Sequence, residues 1–221
     1  MENPFPKDIE NTVRPFGYPI KQTIRLKAPT ANREMNFFDI VHQRKSLRNL
    51  TALSDAQIHE LLWYSSKVLS VHYQNNGYIL SHRPAPSAGA RYPIDLIVIF
   101  PCKDVAYYNP FEHTLNFLSL DQSVIDSLIK HIEDSITIND APLLWFIAHP
   151  DRTNAKYGNA DSLIWRDAGA YTYCVQLAAT ALGIGSCAVG TLGEPFIHQL
   201  FSSYGDVISA GGLIVGNSLD M

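Results

Sequence analysis

Cysteine is scarce and unpatterned. Cys102, Cys174 and Cys187 are odd in number, widely spaced and free of any C-x-x-C pair, which excludes a disulfide framework and a structural zinc knuckle. The eight histidines supply no H-E-x-x-H and no other ligand pair at helical spacing, so the chain offers no protein-bound metal site. An excess of positive charge is also missing: 17 basic side chains face 21 acidic ones, for a net charge of -4. That balance argues against nucleic acid as a partner. The first ten residues lack the apolar core of a secretory signal, carrying Glu2, Lys7, Asp8 and Glu10 among prolines, and a cytoplasmic location is expected. One uncharged stretch, Ala168 to Gly193, is long enough to span a bilayer. It is interrupted by Gly183, Gly185 and Gly190 and diluted by Gln176 and several hydroxyl residues, so a buried helix followed by a strand is expected, not a membrane span.

What the chain has in quantity is apolar surface. With 46% hydrophobic residues over 221 positions it can bury a sizeable core within one domain, since single cores grow to ~250 residues before splitting. Residues 1–34, holding Pro4, Pro6, Pro15, Pro19 and Pro29 without clear periodicity, read as an extended N-terminal arm; residues 35–221 read as the folded domain. Asn36 caps a short helix through Phe37, Ile40 and Val41 that ends near Arg44. Ser54 and Gln57 form a capping box for a second helix bearing Ile58, Leu61 and Leu62. Ile94 to Phe100 and Leu143 to Ala148 are predicted as strands buried on both faces. Ala106 to Tyr108 and Thr114 to Leu118 flank the turn signal Asn109-Pro110, and Val124, Ile125, Leu128, Ile129 and Ile132 mark an amphipathic helix. A helix apolar nearly all round is predicted over about Leu163 to Leu182, ended by Gly183. Strands at Ser186 to Val189 and Gly212 to Val215, with a helix from Pro195 to Phe201 between them, complete an α+β pattern.

Four segments carry chemical potential, and each has an ordinary structural alternative. In Arg44-Lys45-Ser46-Leu47-Arg48, an extended backbone would project Arg44, Ser46 and Arg48 to one side, two guanidinium forks and a hydroxyl suited to phosphate; the alternative is a solvated basic turn. In Pro86-Ser87-Ala88-Gly89, small residues let a planar ring approach the backbone closely, unless the segment is only a loop into a strand. Lys156-Tyr157 is an acid/base pair if its environment lowers the lysine pKa, and otherwise an exposed loop. Gly183 to Gly190 superficially resembles a dinucleotide fingerprint, but it follows a helix where the fingerprint follows a strand, which rules out a Rossmann site.

Taken in order, RKSLR, LSDAQIHELLW, PSAGARYPIDLIV, YYNPFEHTL, AKYGNA and RDAGAYTYCVQLAATALGIGSCAVG resemble the nitroreductase superfamily, and within it the SagB-type branch that includes the flavin subunits of thiazole/oxazole synthetases. The likeness runs from about Asn36 onward and leaves the arm uncovered. It implies a central, mixed and mostly antiparallel sheet flanked by helices, and a homodimer with two FMN molecules at the interface and the long helix buried against its mate. By the same resemblance, Arg44, Lys45, Ser46 and Arg48 hold the flavin phosphate and ribityl chain, with Lys45 also suited to the pyrimidine edge. Pro86, Ser87, Ala88 and Gly89 line the flavin from the partner subunit, Val189 and Gly190 meet the ring edge, and Lys156 and Tyr157 are the catalytic base and its partner. Where many relatives place a basic residue after the last Val-Gly strand, this chain has Asn217-Ser218-Leu219-Asp220-Met221, so Arg48 carries more of the phosphate or FMN is held less tightly.

The resemblance implies oxidation of an azoline ring in a modified peptide, with a cyclodehydratase as companion enzyme. Two other readings stand beside it. One is an NAD(P)H-dependent nitro or quinone reductase; the other is a non-catalytic flavin-binding interaction protein, which the arm and the missing basic C-terminal residue suggest.

Overall fold

The computed structural model describes residues 2–30, 34–74 and 79–220. The arm contributes two strands, β1 (Phe5–Pro6) and β2 (Ile20–Arg25). After them come α1 (Phe37–Gln43), β3 (Leu50–Thr51), α2 (Asp55–Ser66), β4 (Ser70–Tyr73), β5 (Ile79–His82) and a 3-10 turn at Ala88–Ala90. The chain continues through β6 (Ile94–Ile99), β7 (Val105–Asn109), β8 (Thr114–Leu118), α3 (Gln122–Glu133), β9 (Leu143–Ala148), α4 (Pro150–Asn154) and β10 (Tyr157–Gly158). It closes with α5 (Asp161–Ala181), β11 (Gly185–Val189), α6 (Phe196–Phe201) and β12 (Ile208–Ser218).

The main sheet runs β11-β12-β9-β6-β7-β8-β2, with β3 also pairing with β12. Every ladder in it is antiparallel; the parallel element is an isolated bridge between Ser46 and Ser186. The alternation of β6 explains the layering. Leu96 and Val98 face one core with Leu61 and Leu62 of α2 and Ile164 and Val175 of α5, while Ile97 and Ile99 face the other with Leu128 and Ile132 of α3 and Phe201 of α6. Helices on both faces account for the unbroken apolar runs of β6 and β9.

The capping box at Ser54 and Gln57 forms as expected, Asn36 caps α1, and Gly183 takes a left-handed φ of 71° just after α5. β12 is longer than the predicted Gly212 to Val215. A bulge between Ser209 and Gly212 extends it back to Ile208, and Gly212 lies directly under the Trp145 ring, where no side chain would fit. No helix among the described residues is long and apolar enough to cross a membrane. α5 packs one side on the sheet and leaves Trp165 and Tyr173 at 43% and 45% exposed; beside it α1 buries no residue and leaves Phe37 and Phe38 at 61% and 69%. An apolar helix pair is therefore open to solvent in the single chain.

Candidate active site

The turn from Pro86 to Tyr92 enters β6 through backbone conformations that side chains seldom adopt: φ is 58° at Gly89, 53° at Ala90 and 45° at Tyr92. A buried carboxylate holds it there. Asp167, inside the first two turns of α5, accepts the Ser87 hydroxyl at 2.6 Å and the Ala88 N–H at 3.1 Å, while Ser87 Oγ accepts the Tyr92 N–H at 2.8 Å. Burial raises the Asp167 pKa, opposed by those two donors. A cavity of about 20 Å³ lies behind the turn, between Ser87, Asp167, Arg83 and Tyr171.

Gly89 faces Lys156 and Tyr157. A Cβ at Gly89 would stand 2.7 Å from the Tyr157 hydroxyl and 3.0 Å from Lys156 Cδ. The Lys156-Tyr157 segment is fixed from both sides. On the inside, α4 is tied to the sheet by Arg152, whose two terminal nitrogens donate to Asp95 at 2.6 and 2.8 Å. Asp95 also meets His149 Nε2 at 2.9 Å and accepts the Tyr18 hydroxyl at 3.0 Å. Burial pushes the Asp95 carboxyl upward, but Arg152 and His149 outweigh it and hold the group well below the usual carboxylate range.

On the outside, the arm lies along the segment. β1 pairs with β10, the Lys7 N–H donates to Lys156 O at 2.8 Å, and Phe5 covers Gly158. Glu10 reaches Arg91 at 2.6 Å and Lys156 Nζ at 3.9 Å.

The basic segment lies elsewhere. α1 ends with Arg44 as its C-cap, and the chain then runs extended past β11, with Ser46 bridging Ser186 and the Leu47 N–H donating to Ser186 O at 3.0 Å. Lys45 and Leu47 line a cleft of about 350 Å³ with Gly183, Gly185 and Asp220, whereas Arg44, Ser46 and Arg48 are not part of that lining, as period-two alternation requires. Among the described residues, Arg44, Lys45 and Arg48 form no ion pair. Lys45 shares its cleft with Asp220, whereas Arg44 and Arg48, on the other side of the segment, form no ion pair among the described residues and fit a phosphate ligand. Val189 and Gly190 stand at the far end of β11, Val189 buried and Gly190 exposed.

The structure thus gathers the sequence candidates into two groups. Pro86, Ser87, Ala88 and Gly89 meet Lys156 and Tyr157; Arg44, Lys45, Ser46 and Arg48 share the extended segment beside β11. The ladders set these groups at opposite ends of the strands. The first adjoins the row Ile94, Ala148 and Ile208, while Ser186 pairs with Val215 just past the row Ile99, Leu143 and Ile214. Five residue steps of β6 separate the two rows, about 17 Å at the usual strand rise.

Asp167, Glu10 and the Asp95–Arg152 pair were not singled out from the sequence. Asp167 carried a usable signal, being an acid that, with Asp161 and Arg166, is one of three charges in a 21-residue helix otherwise rich in apolar residues, and such a residue is usually buried with partners. Glu10 and Asp95 carried none, because their partners are remote in sequence.

An antiparallel sheet layered by helices on both faces carries a basic segment beside β11 and a glycine turn backed by a lysine-tyrosine pair, and with the family match this is the architecture of a flavin-dependent oxidoreductase. The chain belongs to the nitroreductase family, whose sequence model matches residues 41–216. Among solved structures it is similar to a protein described as a nitroreductase from Ralstonia eutropha JMP134, with a TM-score of 0.69 and 19% identity over 98% of this chain and 99% of the other. It is also similar to a chain of the Escherichia coli microcin synthetase McbBCD complex with truncated pro-MccB17 bound, with a TM-score of 0.62 and 16% identity over 88% of this chain and 78% of that one. A third is a nitroreductase described in complex with FMN from Desulfovibrio desulfuricans, with a TM-score of 0.53 and 19% identity over 85% and 88% of the two chains. At these identities the likenesses speak for the fold. No curated protein matches the chain by sequence.

Proposed function

We propose that the protein is a homodimeric, FMN-dependent dehydrogenase of the SagB type that oxidises an azoline ring in a modified peptide made by a companion cyclodehydratase. The observation that carries this reading is the contact of Gly89 with Lys156 and Tyr157, which sets an acid/base pair against the turn suited to a planar ring. Arg44, Ser46 and Arg48 hold the FMN phosphate, Lys45 extends the positive charge into the adjoining cleft, and Val189 and Gly190 border the ring. The bound flavin supplies the hydride acceptor. Lys156 takes the proton from the ring carbon while Tyr157 holds the substrate heteroatom, and the Ser87–Asp167 bonds keep the turn in place.

The homodimer has two supports. The apolar faces of α1 and α5 are open in the single chain, and the phosphate-ready segment lies at the opposite end of the strands from the Gly89 turn. A cofactor shared between two chains would take its phosphate site from one and its turn from the other. The likeness to a chain of a microcin synthetase complex supports a peptide substrate and a cyclodehydratase partner.

The test is oxidation of an azoline peptide by the FMN-loaded protein, followed by mass spectrometry. Loss of two hydrogens that Lys156→Ala abolishes, with FMN still bound, supports the reading. Rapid NADPH oxidation with a nitroaromatic acceptor, unaffected by Lys156→Ala and without azoline turnover, would establish the nitro or quinone reductase instead.

A further inference from the structure

The arginines near the arm are more numerous than their local acids can match. Arg14, Arg83, Arg91 and Arg152 line one pocket of about 220 Å³ between the arm, the Pro86–Tyr92 turn and the outer end of the β7–β8 hairpin. Two of the four are committed: Arg152 is locked to Asp95, the one carboxylate in the lining, and Arg91 is held by Glu10. The other two, Arg83 and Arg14, form no ion pair among the described residues.

Arg83 is also pre-organised. Its Nε donates to Ser81 Oγ at 3.2 Å, and its guanidinium lies 4.3 Å from the centre of the Tyr92 ring and 5.4 Å from that of Phe111. The fork is thus oriented by side chains that leave its charge uncompensated. Burial holds the Arg83 guanidinium below its ordinary pKa, an effect only partly offset by Tyr171 and Asp95, so a nearby anion would relieve an existing cost. The remaining wall is apolar or aromatic, with Ile79, Tyr92, Tyr107 and Phe111.

We propose that this pocket is a ligand site for a small organic carboxylate with an apolar or aromatic stem, its carboxylate received by Arg83 and Arg14 and its stem by Tyr107, Phe111 and Ile79. Two uncommitted guanidinium groups match one carboxylate, and the ring-lined wall rewards a stem that inorganic phosphate lacks. The site also gives the N-terminal arm a role, because Arg14 completes it and Glu10 fixes the neighbouring Arg91. Since Arg83 and Tyr92 line the cavity behind Ser87 as well, the ligand would sit directly behind the turn that carries Gly89. The assignment does not depend on azoline oxidation or on Lys156.

The experiment is a titration of the full-length FMN-loaded protein with 4-fluorobenzoate, followed through the fluorine resonance of the probe, with 4-fluorobenzamide as the neutral isostere. Saturable binding of the benzoate and not the benzamide is expected. Arg83→Met should weaken it about tenfold or more, the loss of a charge-assisted hydrogen bond. Arg14→Ala, at an exposed position, should weaken it about two- to fivefold. Benzoate binding unchanged in both variants, equal binding of the benzamide, or absence of saturable binding overturns the proposal. Displacement by equimolar inorganic phosphate overturns the carboxylate assignment.

Discussion

Gly89 and Tyr157 touch so closely that any side chain at position 89 must push the phenol aside: the Gly89 φ is 58°, and a Cβ there would lie 2.7 Å from the Tyr157 hydroxyl. This contact joins the turn before β6 to the loop after α4, two segments almost 70 residues apart, and the proposed chemistry depends on it.

Gly89→Ala is therefore expected to cost about 1–2 kcal/mol from the left-handed backbone alone, and to displace Tyr157 as well. A thermal melt should show the loss, and azoline turnover should fall further than stability accounts for. Unchanged turnover would mean that the contact is incidental.

Asp167→Asn separates the carboxylate's charge from its shape. Because burial raises the Asp167 pKa above its unfolded value, the folded protein binds the extra proton, and the stability contribution present at low pH is lost as pH rises from near 4 through the raised value. Wild type should thus lose stability relative to Asp167→Asn as pH increases across that window, read from urea midpoints. A difference that grows in favour of wild type with rising pH would contradict the assignment.

Asp95 behaves in the opposite sense. Its folded pKa is depressed, so its contribution is present above the unfolded value near 4 and is lost as pH falls below it. Asp95→Asn leaves Arg152 buried against a neutral group and is expected to cost about 3–5 kcal/mol at neutral pH, with the gap to wild type closing in acid. Denaturant titrations at pH 7 and pH 3 check both statements.

Tyr173→Asp places a charge on the open face of α5, where Tyr173 is 45% exposed in the single chain. Sizing should report wild type at twice the 24.7 kDa chain mass and this variant shifted toward monomer, with FMN lost in parallel. A variant that stays dimeric would move the interface away from α5.

The readable parts of the fold were those whose burial is written locally. β6 and β9 are continuous apolar runs, α3 repeats its apolar residues at helical spacing, and α2 carries its own cap. β2 and β4 escaped because all their residues are exposed, so their few apolar side chains mark no buried face, and β2 is defined by its remote partner β8. β10 is two residues long and exists as a strand because the arm pairs with it. Of the proposed site, the residue types in RKSLR, PSAG and Lys156-Tyr157 stand out in the sequence. That Gly89 meets Tyr157, or that Asp167 holds the turn, depends on contacts between residues tens of positions apart.

The proposed phosphate site is the most direct point of test. Flavin-free protein should be titrated with FMN and with riboflavin, which lacks the phosphate, in wild type and in Arg48→Ala. The account predicts that wild type prefers FMN by about tenfold or more and that Arg48→Ala removes most of that preference while riboflavin affinity holds. Equal affinities for the two flavins in wild type, or an equal loss of both in the variant, would show that the basic segment does not hold the phosphate.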